Sequence, residues 1–122
     1  MRLVKILAAT LFSATVISAA ASGAAEAKTA KQCGNASWYA LHSKTASGET
    51  MNPSAMTAAH RSLPFGTKLR VTNKRSGRST IVRVNDRGPF IKGRILDLSK
   101  AAANQLGFVR SGHTEICLEV MP

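Results

Sequence analysis

Residues Ile81 to Phe90, Ile-Val-Arg-Val-Asn-Asp-Arg-Gly-Pro-Phe, begin as a β-strand and then have to stop. Ile81, Val82 and Val84 are β-branched and favour a pleated, half-buried surface, whereas Gly88-Pro89 cannot continue a hydrogen-bonded ladder. Successive side chains of a strand point to opposite faces, which predicts Val82, Val84 and Asp86 on one face and Arg83, Asn85 and Arg87 on the other. With the valines facing a core, Asp86 falls at the rim of the apolar face. A carboxylate held there is partly desolvated, a setting that suits a carboxyl group to proton donation. The stretch Asn85 to Pro89 is also ordinary turn chemistry, in which Asp86 bonds nearby backbone or pairs with an arginine.

The rest of the chain repeats this grammar of short strands cut by turns. Gly34 to Tyr39 reads as a strand with the only Trp and the only Tyr, Trp38 and Tyr39, on opposite faces. One of the two is then core and the other free to meet a sugar ring. Asn52-Pro53 reads as an N-cap and a first helical proline, predicting a short helix to about Ala59. Thr67 to Asn73 alternates as a half-buried strand does, and a hairpin loop, Lys74 to Arg78, leads back into the strand that ends at Asp86. Arg94 to Leu98 is a further strand, Ser99 caps a helix over Lys100 to Leu106, and Gly107 ends it. A last strand spans Glu115 to Val120. Short strands with so little helix point to a small β-barrel.

The N-terminus reads differently. Arg2 and Lys5 precede an apolar stretch from Ile6 to Ala21, and Ala25-Glu26-Ala27 is a small-x-small cleavage motif. Residues 1–27 are therefore expected to be a secretory signal peptide, and residues 28–33 a short polar arm. Nothing later is long and apolar enough to span a bilayer, and Ala30-Lys31-Gln32 before Cys33 offers no lipid-attachment signature. The expected product is exported, periplasmic or cell-wall associated, with a monomer as the default. A chain of 95 residues has a thin core, and in an oxidising compartment Cys33 and Cys117 are expected to form a disulfide. The alternative is a redox or catalytic thiol, although neither cysteine lies in a Cys-x-x-Cys.

Of the 17 Lys+Arg and six Asp+Glu, residues 28–122 keep 15 and five, a net charge of +10. Such a charge favours polyanionic partners, or is simply a solvated basic surface. Export argues against nucleic acid, and the aromatics are too few for a base-stacking platform. The anions left are cell-wall glycans with their carboxylates and anionic lipid head groups. His42 and His113 show no metal-ligand spacing with the cysteines, so neither a metal nor a cofactor is expected.

Seven motifs occur in order: Gly34-Asn35-Ala36-Ser37-Trp38-Tyr39, Thr45-Ala46-Ser47-Gly48-Glu49, Thr57-Ala58-Ala59-His60, Leu63-Pro64-Phe65-Gly66-Thr67, Val71-Thr72-Asn73, Asn85-Asp86-Arg87-Gly88-Pro89-Phe90 and Arg94-Ile95-Leu96-Asp97-Leu98-Ser99. Together they resemble the double-psi β-barrel domain of the rare lipoprotein A family over residues 34–122. The resemblance implies a mainly β fold, a small six-stranded barrel of pseudo-twofold symmetry with two or three short helices. It also implies a role on peptidoglycan glycan strands, beside endolytic lytic transglycosylases and, more distantly, expansin-like wall-loosening modules. Members often carry a lipid-anchoring cysteine and a C-terminal glycan-binding domain, and this sequence is read as showing neither.

Carried over residue by residue, the resemblance makes Asp86 the acid, His60 its partner across a groove, and Glu49 a further acidic position. Trp38, Tyr39, Arg87 and Asp97 are the candidates for holding sugar. The implied reaction cuts the bond between N-acetylmuramic acid and N-acetylglucosamine without water and leaves a 1,6-anhydro-muramic end. A non-catalytic wall-binding module is the competing reading, and a disulfide-stapled inhibitor a third.

Overall fold

The structure, a computed structural model, describes residues 10–15 and 31–122. Most of the expected leader, residues 1–9 and 16–27, and the first three residues of the expected arm lie outside them. Among the described residues, no helix is long and apolar enough to cross a membrane. Six strands and one helix follow in order: β1 (Gln32–Tyr39), β2 (Thr57–Ala59), β3 (Lys68–Asn73), β4 (Ser79–Asp86), β5 (Arg94–Ser99), α1 (Lys100–Leu106) and β6 (His113–Val120). The strands close into a barrel in the order β1-β5-β2-β4-β3-β6. Two parallel pairs, β1 with β5 and β2 with β4, are joined by the antiparallel pairing of β2 with β5. This is the pseudo-twofold double-psi architecture expected from the sequence.

Alternation does most of the work inside. In β3, buried Leu69 and Val71 alternate with exposed Lys68 and Arg70, and Val82 and Val84 of β4 join the buried pair with Leu96 and Leu98 of β5 and Ile116 and Leu118 of β6. Helix α1 adds Ala102, Ala103 and Leu106 to this core. Its ends follow the sequence signals. The Ser99 hydroxyl accepts from the Ala102 N–H, and Gly107 takes the left-handed conformation (φ 79°) that L-residues with a Cβ resist.

Three expectations are corrected. The two or three short helices reduce to one among the described residues, because Asn52-Pro53 starts a turn and not a helix. The Asn52 side chain does accept from the Ser54 N–H, as a cap would, but Thr57, Ala58 and Ala59 are fully buried and paired on both sides by β4 and β5. Burial in a barrel overrides local helix propensity. Gln32 and Cys33, placed in the arm, belong to β1, where Cys33 lies opposite Cys117 and is disulfide-bonded to it. The bridge spans 84 residues and staples β1 to β6.

The third correction concerns Asp86. Ala58 pairs with Val84, yet Ala59 pairs with Asp86, so Asn85 is an extra residue in β4, a β-bulge. Val84 and Asn85 are both buried as a result, and the alternation predicted for residues 82–87 is reversed at its end. Asp86 shares a face with Ala59 and Asp97, outside the barrel, and not with the valines inside it.

Candidate active site

The bulge sets up a row of side chains on the outside of the barrel. Asp86 on β4, Ala59 on β2, Asp97 on β5 and Ser37 on β1 are register partners in succession. Strands lie about 4.8 Å apart, so the two aspartates start about 10 Å from each other with only an alanine between them. Tyr39, two residues beyond Ser37 on the same face, reaches back over the row to Asp86.

Each oxygen of Asp86 is accounted for. Oδ1 accepts the N–H groups of Ala46 and Arg87, both at 2.8 Å, and Oδ2 accepts the Tyr39 hydroxyl at 3.1 Å. Ala46 belongs to a tight loop, Lys44 to Thr50, closed by the Thr45 N–H on the Glu49 carbonyl and docked on β4 by the Ser47 N–H on the Asn85 carbonyl. Burial first, and then the negative charge of Asp86 and the hydrogen bond to it, hold the Tyr39 phenol protonated well above its usual range. Tyr39 is thus a fixed donor to the carboxylate.

No ion pair reaches Asp86 among the described residues, although the domain is rich in cations. The nearest candidate in sequence, Arg87, is directed elsewhere. Its Nη1 donates to the carbonyls of Leu63 (2.8 Å) and His60 (3.3 Å), and its guanidinium lies 4.0 Å from the centroid of the Phe65 ring. Those three acceptors belong to the turn that follows β2, and His60 shapes that turn. The His60 Nδ1 accepts from the N–H groups of Ser62 and Leu63, both at 3.1 Å, while Nε2 lies 3.2 Å from Gln32 Oε1. Since Nδ1 accepts, the proton sits on Nε2 and the ring is neutral. Burial first, and then the charges of Arg87 and Arg61, push its pKa down in agreement.

The link between His60 and Asp86 therefore runs through backbone, the His60 N–H donating to the Asp86 carbonyl at 3.1 Å. The imidazole spends its hydrogen bonds on Gln32 and its own turn. Glu49 and Arg83 form a two-point ion pair at 2.8 and 2.9 Å on the exposed surface, and Glu49 also accepts from Ser47. The Arg83 hydrogen bonds hold its carboxyl below the usual range. Asp97 accepts from Ser37 at 2.6 Å and pairs with Arg94. Trp38 and Tyr39 divide as the strand period requires: Trp38 packs on the core and donates from Nε1 to the Val109 carbonyl, whereas Tyr39 faces the row. Among the described residues, no three His, Cys, Asp or Glu side chains gather as a metal site.

Residues 31–118, from the start of β1 into β6, match the lytic transglycolase domain family. The chain belongs to that family. Within it, the chain is similar to a probable endolytic peptidoglycan transglycosylase RlpA of Nostoc sp., 62% identical over 77 residues, covering 63% of this chain and 21% of that protein. It is 54% identical over 91 residues to the endolytic peptidoglycan transglycosylase RlpA of Neisseria meningitidis, covering 72% and 38%. The Pseudomonas aeruginosa protein of the same name is 47% identical over 97 residues, covering 77% and 28%. The chain thus spans well under half the length of these relatives. Among solved structures, Streptomyces papain inhibitor shares the fold (TM-score 0.66, 22% identity, 79% of this chain and 98% of that one). An expansin of Clavibacter michiganensis superposes with a TM-score of 0.61 at 26% identity, over 76% of this chain and 51% of that one.

For this lytic transglycolase domain, the sequence pointed to Asp86 and Tyr39, which the fold brings into contact, and to Asp97, which it sets in the same row. It separated the Glu49 carboxylate, committed to Arg83, and the His60 ring, committed to its turn. Sequence reasoning missed the Ala46 N–H, Ser37, Gln32 and Arg94. Ser37 had a signal, since it stands two residues before Tyr39 on one strand. A backbone donor such as Ala46 has none.

Proposed function

We propose that this domain is an endolytic peptidoglycan lytic transglycosylase with Asp86 as its single acid and base. One observation carries the reading: Asp86 stands on the outer face without an ion pair among the described residues, Oδ1 filled by two N–H groups and Oδ2 by one hydroxyl. The less occupied oxygen, Oδ2, is the one with room to carry and hand over a proton.

Hydrolysis of a glycoside draws on two carboxylates, one as acid and one as base or nucleophile. The second carboxylate of the row, Asp97, is committed to Arg94 and Ser37. A reaction that needs one carboxylate fits this arrangement better. Protonated Asp86 donates from Oδ2 to the glycosidic oxygen as the bond to the muramyl anomeric carbon breaks. The C6 hydroxyl of the same sugar then closes on that carbon and yields its proton to the carboxylate, which restores the acid. The nucleophile is part of the substrate and already in place, an advantage equivalent to a high effective concentration. Tyr39 and the two N–H groups fix the direction of the carboxyl throughout. Residues 1–27 would direct the chain out of the cytoplasm, where such glycan lies, and residues 34–122 would act there as one domain.

The second reading is an expansin-like binding module. It is favoured by the likeness at 25% identity to an expansin solved in complex with cellohexaose. The separating experiment incubates residues 28–122 with peptidoglycan and analyses the fragments by mass spectrometry. Fragments ending in 1,6-anhydro-muramic acid, abolished by Asp86→Asn while glycan binding persists, are expected. Ordinary reducing ends would mean hydrolysis and would overturn the one-carboxylate reading. Binding without fragments from either intact or peptide-stripped glycan would leave only the module.

A further inference from the structure

The row that begins at Asp86 continues past Asp97. Ser37 is the register partner of Asp97 on one side and of His113, on β6, on the other. A depression of about 370 Å³ opens at this place, lined by Asn35, Ser37, Lys92, Arg94, Gly112 and His113. A neighbouring depression of about 270 Å³ shares Asn35 and His113 and extends over β6 to Arg75. Two adjoining depressions therefore lie on the outer face beyond Asp97, over β5, β1 and β6, the second bordered by the Glu115 carboxylate as well as by Arg75.

The lining of the first depression holds two permanent cations and no carboxylate. Lys92 is exposed and takes part in no ion pair among the described residues. Arg94 pairs with Asp97 through Nη2, and its Nε is buried without an acceptor. Asn35 and Ser37 add short polar groups at the floor. The unpaired ammonium of Lys92, with Arg94 and these polar groups beside it, suits a negatively charged oxygen acceptor.

We propose that this depression is a subsite for a carboxylate carried by the glycan strand, engaged at a sugar beyond the bond being cut. The proposal rests on the peptidoglycan reading above and specifies which part of the polymer is recognised. The distance supports it: Ser37 lies three strand spacings from Asp86, about 14 Å along the surface. A strand seated on Asp86 would lay a sugar of the next disaccharide over Lys92 and Arg94. Muramic acid carries a carboxyl group, bare as a lactyl carboxylate or extended by a peptide that ends in carboxylates. Both sources present the same chemistry to the same cations.

The test measures binding, so that it stands whether or not the domain cleaves. Asp86→Asn protein is titrated against four substrates: bare glycan strands, peptide-bearing strands, and each of these with its carboxyl groups amidated. Lys92→Glu is then added to that background, with Arg70→Glu as a control of equal charge change on the exposed outer face of β3. Lys92→Glu is expected to weaken binding of carboxylate-bearing strands at least about fivefold, since one exposed ion pair is lost and a like charge takes its place, and to leave binding of amidated strands unchanged. Arg70→Glu should have a clearly smaller effect, and raising salt should shrink the Lys92 difference. A loss seen on bare strands assigns the lactyl carboxylate; a loss confined to peptide-bearing strands assigns the peptide. Equal losses for the two variants, the same loss on amidated strands, or no loss with Lys92→Glu would each overturn the subsite. Failure of the Asp86→Asn parent to bind any strand would overturn the subsite together with the peptidoglycan reading. Absence of anhydro fragments from the unsubstituted domain would sink the enzyme alone.

Discussion

His60 should reveal itself first in stability, because its imidazole is built into a turn. The residue is 6% exposed and its ring makes three hydrogen bonds, two from the N–H groups of Ser62 and Leu63 and one to Gln32. Each is worth about 1 kcal/mol net, and Ser62 is exposed enough for water to replace part of the loss. His60→Ala should therefore cost about 2–3 kcal/mol, or a fall in Tm of about 10–20 °C for a domain of this size. His60→Asn, which keeps an acceptor near Nδ1, should recover part of it. Acid provides a second readout. Burial and two arginines lower the folded imidazole pKa below its unfolded value near 6.5, so the unfolded chain binds the proton more readily. The His60 contribution is then complete above about pH 6.5. It declines as the pH falls below that value, until the folded ring is protonated as well. Urea titrations with the disulfide intact, at pH 7.5 and 5.5, should show this decline in the native domain and not in His60→Ala. Equal midpoints for native and His60→Ala at pH 7.5, or an unchanged pH dependence in the variant, would refute the account.

The other expectations are simpler. Gly34→Ala places a Cβ 2.9 Å from the Ile95 Cγ2. It should destabilise by about 1–3 kcal/mol through overpacking, and denaturant titration should show a smaller loss when Gly34→Ala is made in an Ile95→Ala background, which removes both γ carbons. Replacing both Cys33 and Cys117 by serine opens an 84-residue span and should cost about 4 kcal/mol, read from the urea midpoint. Glu49→Gln breaks an ion pair whose partners are 41% and 44% exposed, and should change stability by less than about 1 kcal/mol. Because Arg83 holds the Glu49 carboxyl below its usual range, that small contribution is present near neutrality and fades as the pH falls through the folded value, which a native-minus-variant difference at pH 7 and pH 3 would register.

Much of the barrel was legible because its strands obey the two-residue period. Lys68–Asn73, Arg94–Ser99 and the capped helix Lys100–Leu106 fall within a residue of where alternation, Ser99 and Gly107 put them. Asn52-Pro53 misled because an Asx turn and a helix N-cap use the same side chain, and the decision belongs to the neighbours of Thr57–Ala59 in the barrel. Asp86 was visible as the carboxylate at the corner, but its facing was read wrongly, since a bulge leaves no mark in composition or period. The His60 ring was assigned to the groove by motif. What its nitrogens touch depends on Gln32 and on two backbone N–H groups, which no motif describes.

The single extra residue at Asn85 changes what reaches the carboxylate more than which way it points. The part of β4 from Ser79 to Arg83 is held by pairing with β3. With Asn85 removed, Asp86 would follow Val84 directly, and ordinary alternation would still set it opposite Ala59 on the outer face. What would be lost is the Asn85 carbonyl that accepts the Ser47 N–H, and with it an anchor of the loop that carries the Ala46 N–H to Oδ1. The bulge thus serves as a berth for a neighbouring loop, inserted without disturbing the row it borders.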